Sequence, residues 1–119
     1  MAIMSLDCAT ELPAQPDILQ ELGFTLAEIE ALLDGVLTRE GWAHVKERVR
    51  RPGLSYQVRS PTESSEVLLC FQPLPDRSFA GGRIRFPCTR LTGKFRNASP
   101  HFIDGWLRRL QHIFLKGGG

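Results

Sequence analysis

The chain is poor in the patterns that usually announce a chemistry. It has three cysteines, Cys8, Cys70 and Cys88, an odd number at wide spacing, with no C-x-x-C and no Cys/His pair at zinc-finger spacing. Neither a disulfide scaffold nor a structural metal is expected from such a set, and no cofactor is. No apolar run approaches the ~20 residues that a bilayer span needs. Met1 to Leu12 lack the basic start and long apolar stretch of a signal peptide, so the expected location is the cytoplasm, with no membrane partner. Phosphate-loop grammar is missing too: Gly81-Gly82 reads as a turn, and Gly93-Lys94 lacks the preceding glycine and the following hydroxyl. With no G-x-S-x-G and no H-E-x-x-H, catalysis has no motif to rest on.

What is present is an ordinary globular composition with an uneven charge. Apolar residues make up 42 % and charged residues 24 % of 119 positions, which excludes a disordered or membrane class and predicts one hydrophobic core. The net charge of +2 conceals a split. Met1 to Val45 hold eight acids and one base, a net of −7, whereas Lys46 to Gly119 hold fourteen bases and five acids, a net of +9. Either acidic helices dock on a basic remainder, or subunits pair acidic to basic, or the basic part meets an acidic partner.

Local signals divide the chain into a flexible arm over 1–15, a single α+β domain over 16–116 and a flexible tail over 117–119. Pro16 predicts a short helix from Asp17 to Leu22, ended by Gly23. Thr25 and Glu28 form a capping box, and Phe24 can staple onto Ile29, so a helix starts there, with Leu26, Ile29, Leu32 and Leu33 inward and Gly35 as its stop. The stretch Leu22 to Ile29 resembles a helix segment of MerR-type regulators, a likeness confined to the capping residues and lacking the winged-helix DNA reader. Thr38 predicts a further helix to about Arg50, with Trp42, Val45 and Val49 inward and Lys46, Arg48, Arg50 and Arg51 in its last turns. Leu54 to Arg59 alternates as a half-buried strand. Ser99 and Pro100 open a last helix to about Lys116, whose stripe of Ile103, Trp106, Leu107, Leu110, Ile113 and Phe114 suits the cover of a sheet.

Between these lies a hairpin, Glu66 to Leu91. Opposing Cys70 to Cys88 would join Ile84, Phe86 and Cys88 to Leu68, Cys70 and Gln72. A shift that brings Phe71 to Phe86 and Leu69 to Cys88 instead gathers Val67, Leu69, Phe71, Ile84, Phe86 and Cys88 on one apolar face. Register follows the pattern that fills the core, so the shifted pairing is expected, with Arg83 and Arg85 outward and Cys70 and Cys88 on opposite faces as inert thiols. Pro73 and Pro87 then fit only outward, bulged or terminal positions. Leu68, Cys70 and Leu74 remain on the other face, which a partner chain could cover.

Two groups of polar residues are candidate sites. Arg59, Arg83, Arg85, Arg90, Lys94 and Arg96 are the basic residues of the strand region, and Arg83 and Arg85 share a face that Arg59 can join. They suit an acidic ligand. The order helix, three strands, helix resembles that of double-stranded RNA-binding domains, which implies RNA as an alternative ligand. On the last helix His101, Asp104, Arg108 and His112 share the polar face, where a His/Asp pair one turn apart could act as a general base. His101 and His112 stand roughly 16 Å apart along a helix, too far for one metal ion. His44 has no partner that the sequence names.

The fold expected is a two-layer α+β domain: a three-stranded antiparallel sheet (about 54–59, 66–74 and 82–92) covered by the C-terminal helix, with the N-terminal helices at one side. The function expected is a non-enzymatic accessory or regulatory module that binds another protein or itself through the outer sheet face and its basic side. RNA binding through a basic sheet face is the first alternative, and a small enzyme using the helix-borne His/Asp pair the second.

Overall fold

A computed structural model of the chain describes residues 16–49 and 53–115. The segment 1–15 with Cys8, the residues Arg50 and Arg51, Lys116 and the tail over 117–119 lie outside the described residues. Seven elements follow in order: β1 (Ile18–Leu22), α1 (Leu26–Glu40), β2 (Ala43–Val49), β3 (Gly53–Arg59), β4 (Glu66–Phe79), β5 (Ile84–Arg96) and α2 (Pro100–Leu115). The class is α+β as expected, but the sheet has five strands rather than three, all antiparallel, in the order β1-β5-β4-β3-β2.

The two added strands correct two expected helices. Asp17 to Leu22 is not a helix: Ile18 and Leu22 turn to the core, and the segment pairs with β5 from Ile18↔Gly93 to Leu22↔Thr89. Gly93 permits this approach, because a Cβ there would stand 2.8 Å from Ile18 Cδ1. The helix expected from Thr38 to Arg50 is likewise absent. The Thr25 capping box starts α1 as the sequence predicts, but Gly35 does not stop it. Gly41 does, at φ +72°, its N–H reaching back to the Thr38 carbonyl. Beyond it His44, Lys46 and Arg48 alternate with Val45 and Glu47, a period of two, and Val45 is 55 % exposed rather than inward.

Both helices cover one face of the sheet. Ile29, Leu33, Val36 and Leu37 of α1 and Phe102, Trp106, Leu110, Ile113 and Phe114 of α2 join Leu54, Tyr56, Val58, Val67, Leu69, Phe71 and Leu91 in one buried cluster. Elsewhere on the expected stripe, Leu107 is exposed and Ile103 only half-buried. Ser99 caps α2 through the Phe102 N–H at 3.2 Å.

The hairpin register also differs from expectation. Phe71 lies opposite Leu91 and Leu69 opposite Gly93, while Cys88 meets Leu74 and Phe86 meets Arg77 after a bulge between Leu74 and Arg77. Leu91, not Phe86, therefore completes the inner face with Phe71. Ile84, Phe86 and Cys88 pass to the outer face, and among the described residues the distal half of the hairpin, from Leu74 to Phe86, pairs with no third strand.

Candidate binding surface

The charge split is partly answered within the chain. Facing α1 from β2, Lys46 Nζ donates to Glu30 Oε2 at 2.7 Å and to Asp34 Oδ2 at 2.8 Å, and Arg48 Nη2 donates to Glu30 at 2.7 Å. The buried Tyr56 hydroxyl donates to Asp34 Oδ1 at 2.8 Å. The Lys46 hydrogen bond holds the Glu30 carboxyl below its usual range. Burial opposes ionisation of Asp34, yet the bonds from Lys46 and Tyr56 outweigh it and its pKa is also lowered. Lys46 is raised in turn, by Asp34 first and Glu30 second. Burial, reinforced by the Asp34 bond, pushes the Tyr56 phenol up. At the far end of α1, Glu40 accepts from Trp42 Nε1 at 3.1 Å and Arg109 Nε at 3.0 Å, and its pKa is lowered by those donors. Arg109 in turn lies over the rings of Trp42 and Trp106, 5.1 and 5.2 Å from their centroids.

Of the six basic candidates, Arg59, Arg90, Lys94 and Arg96 share the outer face of the sheet, opposite the helices. They are not a bare patch. Arg59 and Arg96 flank Glu66 at 3.7 and 3.4 Å, and Lys94 lies 3.9 Å from Asp17. Arg83 and Arg85 do not join them: Arg83 sits in the hairpin turn, and Arg85, opposite Ser78, is on the other face of the distal hairpin. The shared face expected for Arg59, Arg83 and Arg85 fails because the register moved and Arg83 left the strand.

On α2, Asp104 pairs with Arg108 at 3.6 Å, and all four polar-face residues, His101, Asp104, Arg108 and His112, are exposed. His101 borders a hollow of about 280 Å³ between Trp42, the loop at Ser60 and Glu63, Trp106 and Arg109; His112 does not. The hollow thus holds one residue of the four, without the carboxylate expected to serve it. Among the described residues no group of three or more His, Cys, Asp or Glu could hold a metal ion.

No family model, curated protein or solved structure matches the chain. The functional reading therefore rests on the chain's own geometry.

Two departures on the outer face bear on that reading. In its middle Ser55, Cys70 and Thr92 form a row across three strands and are buried, and Cys70 is disulfide-bonded rather than an inert thiol. Cys88 is free. Both cysteines lie on this face, not on opposite ones, and stand four residues apart along the ladder, roughly 13 Å at 3.3 Å per residue, too far to bond to each other.

The second is the distal hairpin, hereafter the ribbon. Phe79, Ile84 and Phe86 stand together on its outer face, 53, 47 and 49 % exposed, with the two phenyl rings in edge contact at 5.6 Å. Beside them Arg77 is tied by a charge-assisted hydrogen bond to Glu21 of β1. Ile84 and Phe86 are the residues that the sequence pattern assigned to the core. Among the described residues no helix is long and apolar enough to cross a membrane.

Proposed function

We propose that the protein is a non-enzymatic accessory or regulatory module that binds another polypeptide through the outer face of its ribbon. One observation carries this: three large apolar side chains, each about half in water, are clustered on two strands that project beyond the sheet. Scattered exposed apolar residues need no explanation, but a cluster on a projecting element is characteristic of interaction surfaces. A two-stranded hairpin is also marginal by itself and gains from a partner's cover. The test is to place a photo-activated benzophenone side chain at position 79 in the full chain, in the cells that make it, with position 112 on α2 as the control site. A discrete protein adduct at 79, absent at 112, is expected; no adduct at 79 would remove the reading.

Nucleic-acid binding is the second reading, because Arg59, Arg90, Lys94 and Arg96 share one face. It predicts salt-sensitive retardation of an RNA pool that Arg90→Ala weakens. A lack of retardation at low salt would dispose of it.

A further inference from the structure

Resting on the protein-binding reading, we infer that the ribbon's partner is a second copy of this chain, with the two ribbons packed face to face about a two-fold axis through Phe79, Ile84 and Phe86. The charge on that face comes first. Arg77, the basic residue among the three apolar ones, is already neutralised by Glu21 of its own chain. Arg83 is in the turn and Arg85 is on the reverse of the ribbon, so neither arginine lies where a partner of the apolar face would meet it. A surface made of neutral apolar groups is complementary to itself, as an isologous interface requires. An acidic partner would instead need an unengaged base beside the phenyl rings, whereas Arg77 is held by Glu21 and Arg85 faces the other way.

The strand edges then select face over edge. Pro73 and Pro75 on β4 and Pro87 on β5 remove N–H donors along the ribbon and its root, the usual device against strand addition. What remains open is the side-chain face. Its size is also informative: at ~150–250 Å² per large side chain, three half-exposed residues leave roughly 300 Å² in each copy. Both copies together then supply roughly 600 Å² of the ~1,200–2,000 Å² of a stable interface. Leu74 and the Arg77 stem lie on the same face and extend it. The association is accordingly weak and reversible.

Sedimentation equilibrium of the purified full chain from about 1 to about 300 µM tests this, beside the double variant Phe79→Ser with Phe86→Ser. Wild type is expected to pass from monomer to dimer, and the variant to weaken the dimer at least ~30-fold. Its circular dichroism melt should not move, since neither ring belongs to the buried cluster. A wild type that stays monomeric throughout overturns the inference, as does a dimer that the double variant leaves intact. The photo-adduct at position 79 separates the two levels: an adduct of twice the chain mass supports both, an adduct with a different polypeptide alone overturns the second copy and keeps the protein-binding reading, and no adduct overturns both.

Discussion

Replacing Asp34 probes how the acidic helix is held to the basic strand. Tyr56 is fully buried, and its hydroxyl donates to Asp34 Oδ1 at 2.8 Å. Asp34→Ala strands that donor away from water, which costs ~1–3 kcal/mol. Lys46 loses one of two carboxylates in the same variant, but both side chains of that pair are about a third exposed (31 and 39 %), so screening applies. That part adds no more than ~0.5 kcal/mol, leaving a total of about 1–3.5 kcal/mol. Tyr56→Phe removes the hydrogen bond without leaving an orphan, because Asp34 keeps Lys46 and solvent; it should cost about 1–1.5 kcal/mol. In the double variant no hydroxyl remains to be stranded, so the two losses should fall short of additive by about 1–2 kcal/mol. Urea unfolding of all four proteins, followed by tryptophan fluorescence and far-UV circular dichroism, measures this. A coupling below ~0.3 kcal/mol would show that Tyr56 does not depend on Asp34 and would refute the account.

Two further outcomes follow from the same elements. Glu30, Asp34 and Glu40 have folded pKa values below their ordinary ones, so their contribution is complete above the normal carboxylate range and is lost as the pH falls through the lowered values; the raised Lys46 contribution is lost only as the pH climbs past 10.5. The urea midpoint should therefore fall on acidification below about pH 4, and Glu30→Gln should flatten that limb; an acid limb unchanged in Glu30→Gln would exclude the mechanism. Gly35 sits within α1, exposed, with nothing within 4 Å of where a Cβ would stand, whereas Gly41 ends the helix at φ +72°. Gly35→Ala should raise stability by about 0.5–1 kcal/mol and Gly41→Ala should lower it by about 1 kcal/mol, and equal effects in thermal melts would contradict the assigned helix end.

Much of the fold was legible where a single residue type permits one local geometry. The Thr25–Glu28 box and the Ser99–Pro100 start are of this kind, and both helices begin where their caps stand. Ambiguity arises where two periods fit the same letters. Trp42, Val45 and Val49 satisfy helical spacing, yet the alternation of His44, Lys46 and Arg48 against Val45 and Glu47 decides the matter, because the basic residues find Glu30 and Asp34 across the sheet face. The signal for β2 was that each inward charge had an acid one helix away, which only the tertiary fold reveals. The same holds for Trp42, Trp106 and Arg109: two indoles and a guanidinium distant in sequence carry no motif until Glu40 fixes the arginine between them. The ribbon is hidden in the sequence because Ile84, Phe86 and Cys88 alternate just as a core-facing strand does, while Leu91 is the residue that lies inward.

Element lengths explain why they are not. At ~1.5 Å per residue, helices of 15 and 16 residues span roughly 23 Å, the length of about seven strand residues at ~3.3 Å each. β4 has 14 residues and β5 has 13, so the helices can cover only about half of that ladder whatever its composition. The molecule's extents of 50 × 33 × 24 Å match such an overhang. A slide of five residues, to oppose Phe71 with Phe86, would draw the phenyl ring inward but turn Leu91 out of the buried cluster and take Gly93 away from its place opposite Leu69. The core is thus complete without Phe79, Ile84 and Phe86. Apolar side chains that the fold neither needs nor can shelter are the observation on which the proposed binding surface rests, and Phe79→Ser with Phe86→Ser tests it without touching the core.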